Sequence, residues 1–279
     1  MRFSKLQGSG NDFVVIDNRD KKVEEFLKDL GLSIADFVKK VCAFHTGVGA
    51  DGLILIEKPK DRNNDFSWRF FNADGSEAEM CGNGSRCAVR FAFEEGMVGE
   101  YVRFETLAGI IQAFVLEKGR RIKVQLTQPK DYREVVLDVE GQRIEGSFIN
   151  TGVPHFVVLV DDMEKIDVVK LGRLIRFHPD FQPKGTNVNF IQPMSFNSIR
   201  IRTYERGVET ETLACGTGST ASAIVAYKKG IVSTKPVEVK TRSGEILKID
   251  FDEHLTQVFL EGSVVRVFDG FLRREFLEC

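Results

Sequence analysis

Two cysteines of this chain stand in matched surroundings. Cys81 opens the run Cys-Gly-Asn-Gly-Ser-Arg, Cys215 opens Cys-Gly-Thr-Gly-Ser-Thr, and each run leads after fifteen residues to a glycine, Gly96 or Gly230. A Gly-rich turn that starts a helix leaves backbone N–H groups without intrahelical partners, at the positive end of the helix dipole. A thiol held there ionises more readily than a free one, whose pKa is about 8.5. The same amides, which glycine allows to approach a ligand closely, hold a carboxylate well. Two such starts acting on one ligand would let a carbon acid lose its proton to one thiolate and regain one from the other thiol. Inversion of a stereocentre requires this, so the pair points to racemisation or epimerisation.

The elements that must position these thiols also come in duplicate. Cys81–Gly96 aligns without gaps on Cys215–Gly230. Each run is preceded by a strand-like stretch and an acidic turn, Phe70–Glu77 or Ile201–Gly207, and each is followed by a strand, a glycine (Gly109, Gly244) and another strand. Upstream, Phe13-Val-Val-Ile-Asp17 reads like Phe156-Val-Val-Leu-Val-Asp161. The helix bodies, Ala88–Phe93 and Thr220–Tyr227, are apolar or small nearly all round, so each is expected to be buried on most faces. Ser85 and Ser219 fall in their first turns and Gly96 and Gly230 mark the stops. Strands are expected at Leu53–Glu57, Trp68–Asn72, Val102–Thr106, Ile110–Leu116, Ile122–Leu126, Asn187–Gln192, Val237–Thr241, Ile246–Phe251 and Val258–Val267. The expected fold is α/β (α+β): two similar pseudo-symmetric domains, each a β-barrel-like sheet wrapped around a central helix. The boundaries expected are residues 1–117, joined by a C-terminal strand at 266–279, and residues 118–265.

Composition bounds the partners. A length of 279 residues fits one large or two modest domains, and charges summing to −2 without a single-sign block recommend neither nucleic acid nor an anionic membrane. A small-molecule ligand is expected instead. The first residues lack a signal-peptide core and the longest apolar runs are of strand length, so the expected location is the cytoplasm. Five cysteines without CxxC spacing fit neither a disulfide framework nor a closed zinc site, and no metal is expected. Cys42 continues the stripe Ile34, Phe37, Val38, Val41 of a helix opened by Ser33; Cys87 lies off the Cys81 face; Cys279 is terminal; all three read as bystanders. No dinucleotide or P-loop motif is present, so no cofactor is called for; the sequence leaves a pyridoxal-binding lysine open, but the paired thiols make it unnecessary. His178–Pro183 reads as a loop, and Glu205-Arg206 as either a surface ion pair or a contact for a zwitterionic amino acid.

At these residues the chain resembles the diaminopimelate epimerase family. The resemblance is carried in family order by Gly8–Phe13, Thr46–Asp51, Phe71–Glu77 into Cys81–Arg86, Gly152–His155, Thr186–Asn189, Tyr204–Gly207 and Ala214–Gly218. It implies that Cys81 and Cys215 are acid/base groups interconverting LL- and meso-diaminopimelate without a cofactor, in lysine and peptidoglycan-precursor synthesis. It implies further that Asn11, Asn72, Asn187, Glu205 and Arg206 hold the substrate, that Gly82-Asn83 and Gly216-Thr217 supply loop amides, and that His155 and Glu205 tune the thiols. Gly52 and Val153 stand where some members carry a substrate-contacting Gln and Asn, and Phe268 where some carry a Tyr at a dimer contact, so a homodimer is expected. Proline racemases resemble Cys-Gly-His where this chain has Cys81-Gly-Asn83, and phenazine-type isomerases lack the paired cysteines. A redox or metal-binding module is the rival from another class.

Overall fold

Strands that are apolar on both faces need cover on both, and two layers of helix supply it. The structure is a computed structural model that describes residues 1–278; Cys279, expected to be a bystander, lies outside the described residues. In chain order the elements begin with β1 (Arg2–Gly8), β2 (Asn11–Asp17), α1 (Lys22–Leu30), α2 (Ile34–Cys42), β3 (Gly52–Glu57), β4 (Phe66–Asn72), β5 (Glu77–Ala78) and α3 (Gly82–Glu94). Then come β6 (Tyr101–Thr106), β7 (Gly109–Leu116), β8 (Arg121–Gln125), β9 (Lys130–Val139), β10 (Gln142–Asn150), β11 (Pro154–Leu159), α4 (Val168–Arg176), β12 (Asn187–Ser195) and β13 (Ser198–Glu205). The chain ends with β14 (Thr210–Thr212), α5 (Gly216–Lys228), β15 (Val237–Lys240), β16 (Ile246–Phe251), β17 (Val258–Ser263), β18 (Val265–Phe271) and α6 (Glu275–Glu278).

The chain divides into two compact units, residues 1–124 together with the chain from Gly262, and residues 125–261. In the first, the strands pair in the order β18-β1-β2-β3-β4-β6-β7-β8, antiparallel except for β2 with β3 and β4 with β6. In the second the order is β9-β10-β11-β12-β13-β15-β16-β17, antiparallel except for β11 with β12 and β13 with β15. Parallel neighbours need a crossover. In each unit one crossover carries the outer helices, α1 and α2 or α4, and the other carries the long helix, α3 or α5. That helix lies in the curve of its own sheet: α3 packs on β1, β2, β3 and β7, and α5 on β10, β11, β12, β13, β15 and β16. The duplication read from the sequence is thus matched strand for strand, and the mixed α/β class is as expected.

Local chemistry explains the elements. Strand β3 is buried at every position, with Leu53 and Leu55 against α1 and α2 in one apolar cluster, as a continuous apolar run between two layers requires. The Ser33 hydroxyl accepts the Asp36 N–H at 3.1 Å and starts α2, whose Phe37, Val38, Val41 and Cys42 are buried as the stripe predicted. Gly96 and Gly230, at φ 68° and 69°, take the left-handed conformation just past α3 and α5.

Two expectations need correction. Val258–Val267 is not one strand: it breaks at Val264, whose N–H turns to the Arg120 carbonyl at 3.0 Å, leaving β17 and β18. The upstream alignment of Phe13 with Phe156 is also one residue out of structural register. Phe156 lies opposite Val188 in the cluster under α4, whereas the residue opposite Leu53 in the cluster under α1 and α2 is Val14. Because side chains alternate along a strand, this shift moves every following residue to the other face. His155, not Phe156, therefore matches Phe13, and Asn189 matches Ile54.

Candidate active site

Each cysteine is the N-cap of its helix. Cys81 has extended backbone angles, its carbonyl accepts the Ser85 N–H at 2.8 Å, and its Sγ accepts the Gly84 N–H at 3.4 Å. Cys215 repeats this geometry with Ser219 at 2.8 Å and Gly218 at 3.4 Å. Both sulfurs thus receive a backbone donor from the first helical turn, where a thiolate is stabilised. The sequence reading put serines near the starts; the caps are the cysteines themselves.

In the first unit, Cys81 Sγ lies 3.9 Å from Asn11 Oδ1, which also accepts from Asn83 Nδ2 at 3.5 Å. Asn83 Oδ1 takes the buried Arg86 guanidinium at 3.0 Å, and Arg86 also reaches Ser9 Oγ at 2.7 Å. Asn11 Nδ2 donates to Asp51 at 2.5 Å. The sequence reading missed Asp51, although Thr46–Asp51 was one of the matching stretches. Gly82 is half-buried beside Cys81. Asn72 is exposed at the end of β4 and donates to Ser76 Oγ at 3.1 Å.

In the second unit the Thr217 hydroxyl stands 3.4 Å from Cys215 Sγ, and the Thr217 carbonyl accepts from Thr151 at 3.0 Å. Gly216 is half-buried in the same turn. Beneath the turn lies a buried polar group that sequence reasoning missed in part. Asn189 Nδ2 donates to His155 Nδ1 at 3.1 Å and its Oδ1 accepts from Thr203 at 2.9 Å. The signal was there: Asn187 and Asn189 alternate with Val188 and Phe190, which puts both amides on one face of β12. Burial, with a smaller contribution from the Arg206 charge, pushes the His155 pKa down to about 3, so the imidazole is neutral. With Nδ1 accepting, its proton sits on Nε2.

Asn187 is buried and serves the backbone, donating to the Pro154 carbonyl at 3.0 Å and accepting the Arg206 N–H at 2.8 Å. It thereby holds the turn carrying Glu205 and Arg206, both half-buried; the Arg206 guanidinium reaches the Lys184 carbonyl at 3.0 Å. Among the described residues, no group of three or more His, Cys, Asp or Glu is placed to hold a metal, and no helix is long and apolar enough to cross a membrane.

With this geometry in view, the sequence profile of the diaminopimelate epimerase family matches residues 3–131 and 147–267. The chain belongs to the diaminopimelate epimerase family. It is 68% identical over 278 residues to the diaminopimelate epimerase of Aquifex aeolicus (strain VF5), covering 100% of both chains. It is 53% identical over 278 residues to that of Hydrogenobaculum sp. (strain Y04AAS1), covering 99% of each. Membership in the diaminopimelate epimerase family makes it an isomerase. Two solved structures share the fold. One is a Bacillus anthracis phenazine biosynthesis protein of the PhzF family, with a TM-score of 0.69 at 16% identity, covering 97% of this chain and 98% of that one. The other is a probable proline racemase from Agrobacterium radiobacter K84, with a TM-score of 0.68 at 14% identity, covering 98% and 92%. Against the diaminopimelate epimerase pattern, Gly52 is a site with no room for a longer side chain: a Cβ there would stand 2.6 Å from the Phe71 carbonyl oxygen and 2.8 Å from the Phe70 ring.

Proposed function

We propose that this chain interconverts LL- and meso-2,6-diaminopimelate by a two-base transfer of the α-proton, with Cys81 and Cys215 as the acid/base groups and no cofactor. The observation that carries the reading is the repeated N-cap, in which each sulfur accepts the N–H three residues ahead at 3.4 Å. One cysteine acts as thiolate and removes the α-proton; the other acts as thiol and returns one to the opposite face of the carbanion. First-turn amides at Gly82-Asn83 and Gly216-Thr217 hold the carboxylate at the reacting centre, where negative charge grows as the proton leaves. Asn11, Asn72, Glu205 and Arg206 contact the zwitterion, while Asn187 acts by holding the turn at Arg206. Neutral His155 and the Glu205 carboxylate tune the thiols. The reaction belongs to lysine and peptidoglycan-precursor synthesis in the cytoplasm, and the enzyme works as a homodimer.

The test is incubation with LL-diaminopimelate in deuterated water. The expected result is meso product carrying solvent deuterium at one α-carbon. Absence of both exchange and meso product sinks the reading, and a panel of other amino acids then shows whether a different racemisation takes its place.

A further inference from the structure

We propose that Asp51 is a positioning residue that fixes the orientation of the Asn11 amide, so that its carbonyl oxygen faces the Cys81 sulfur and holds that group as the thiol. An amide can turn over, exchanging a donor for an acceptor at each end, and only its neighbours decide which way it sits. Here both neighbours decide alike. The Asp51 carboxylate only accepts, and it takes Asn11 Nδ2 at 2.5 Å. Asn83 is itself fixed, because its Oδ1 takes the Arg86 guanidinium at 3.0 Å; its Nδ2 therefore points to Asn11 Oδ1, at 3.5 Å. Cys81 Sγ lies on that same oxygen, at 3.9 Å, and can share it only by donating its S–H.

Asp51 is itself pinned. Its Oδ2 accepts the Asp12 N–H at 3.0 Å, its own N–H donates to Asp12 Oδ1 at 3.0 Å, and Lys5 Nζ stands 2.7 Å from the other Asp12 oxygen. The Cys81 sulfur therefore sits between opposed influences. The Gly84 N–H favours the thiolate, whereas the Asn11 carbonyl favours the thiol. The second unit is built otherwise. There Thr217, whose hydroxyl can donate to a thiolate, lies 3.4 Å from Cys215 Sγ, and Val153, two residues before His155 as Asn11 is two before Phe13, has no amide to offer. A two-base reaction needs its groups in opposite protonation states, and this difference between the two turns supplies a physical basis for it.

The inference rests on the two-cysteine reading, and its test separates the two. Alkylation of the Cys81 peptide by iodoacetamide is followed by mass spectrometry from pH 5.5 to 9 in the full chain and in D51A, D51S and D51N. In D51A and D51S only the long 3.5 Å contact from Asn83 still orients the Asn11 amide; the amide loosens, its oxygen no longer stays on the sulfur, and Cys81 alkylates about tenfold faster at pH 6.5. D51N keeps an acceptor for Asn11 without the charge, and its pH profile stays with the parent. Unchanged profiles in folded D51A and D51S overturn the proposal. A D51N profile shifted as far as that of D51A also overturns it, because the carboxylate would then act by charge alone. The deuterium exchange of the parent chain reports on the other reading: no exchange together with the expected alkylation shifts would remove the epimerase mechanism and leave the Asp51 assignment standing.

Discussion

Gly218 and Asn189 are in such close contact that a Cβ on the glycine would stand 2.4 Å from the Asn189 amide oxygen and 3.3 Å from Cys215 Sγ. At the matching turn of the first unit, a Cβ on Gly84 would meet Cys81 Cβ at 3.4 Å, and the Ile54 methyl and the Trp68 ring at 3.5 Å, which is ordinary contact. The two glycines are equivalent in the repeat but not in their surroundings. Gly84→Ala is expected to be neutral or to stabilise by up to about 1 kcal/mol, through helix propensity. Gly218→Ala must push Asn189 or the cysteine aside, and is expected to cost about 1–3 kcal/mol. Urea unfolding of both variants checks the difference. Turnover should fall in Gly218→Ala well before it falls in Gly84→Ala.

The neutral His155 predicts a pH dependence of stability. Its pKa falls from 6.5 to about 3 on folding, chiefly through burial. Between those values the unfolded chain carries a proton there and the folded chain does not, so unfolding takes up a proton and stability declines as the pH falls. The contribution is fully present above pH 6.5 and shrinks by about 1.4 kcal/mol per pH unit below it. His155→Gln, which can still accept from Asn189, should flatten the slope between pH 6 and 4 by about one proton's worth. An unchanged slope in the variant would show that the imidazole is already charged in the fold.

The thiols should differ sharply in reactivity. Burial raises the Cys42 pKa to about 12 and lifts that of Cys87 still further, so almost none of either is thiolate at neutral pH. Cys81 is only half-buried and its sulfur accepts the Gly84 N–H, so even with the Asn11 oxygen beside it the group ionises far more readily than the buried thiols. Peptide mapping after brief alkylation at pH 7 is expected to find Cys81 modified, with Cys42 and Cys87 slower by on the order of a thousandfold until the chain is unfolded. Labelling of Cys87 at a rate near that of Cys81 would contradict the buried packing of α3.

The duplication was legible because its carrier is a short turn, in which glycines and the capping cysteine are each required by backbone geometry. The stripe of α2 was legible for a similar reason, since Ser33 marks its start and four apolar residues fall on one face. Helices α1 and α4 escaped because few of their residues are buried: Val23 and Leu27 in one, Val168, Gly172 and Ile175 in the other. The β9–β10 hairpin escaped because most of β9 is exposed, leaving little alternation to read. The off-by-one register followed from treating Phe13 and Phe156 as equivalent by residue type, when the face each one covers is set by its cross-strand partner. That slip hid the main contrast between the candidate sites. Phe13, Ile54 and Phe70 lie where the second unit has His155, Asn189 and Thr203, so an apolar floor in one unit is a hydrogen-bonded floor in the other.

Asn187 offers a way to separate holding the substrate from holding the chain. Its carbonyl oxygen accepts the Arg206 N–H at 2.8 Å and its amide donates to the Pro154 carbonyl at 3.0 Å, both near the buried end of β12. Asn187→Ala strands a donor and an acceptor of the backbone, each costing about 1–3 kcal/mol when buried without a partner. The variant should therefore lose stability as well as activity, with KM raised because the turn at Arg206 is released. Asn187→Asp keeps the acceptor for Arg206 but sets a carboxylate against the Pro154 carbonyl, so it should be destabilised near neutral pH and recover as acid protonates the new group. A pure substrate contact would behave differently: both variants would raise KM with the unfolding midpoint unchanged. Thermal unfolding at pH 5 and pH 8, alongside KM, decides between the two roles.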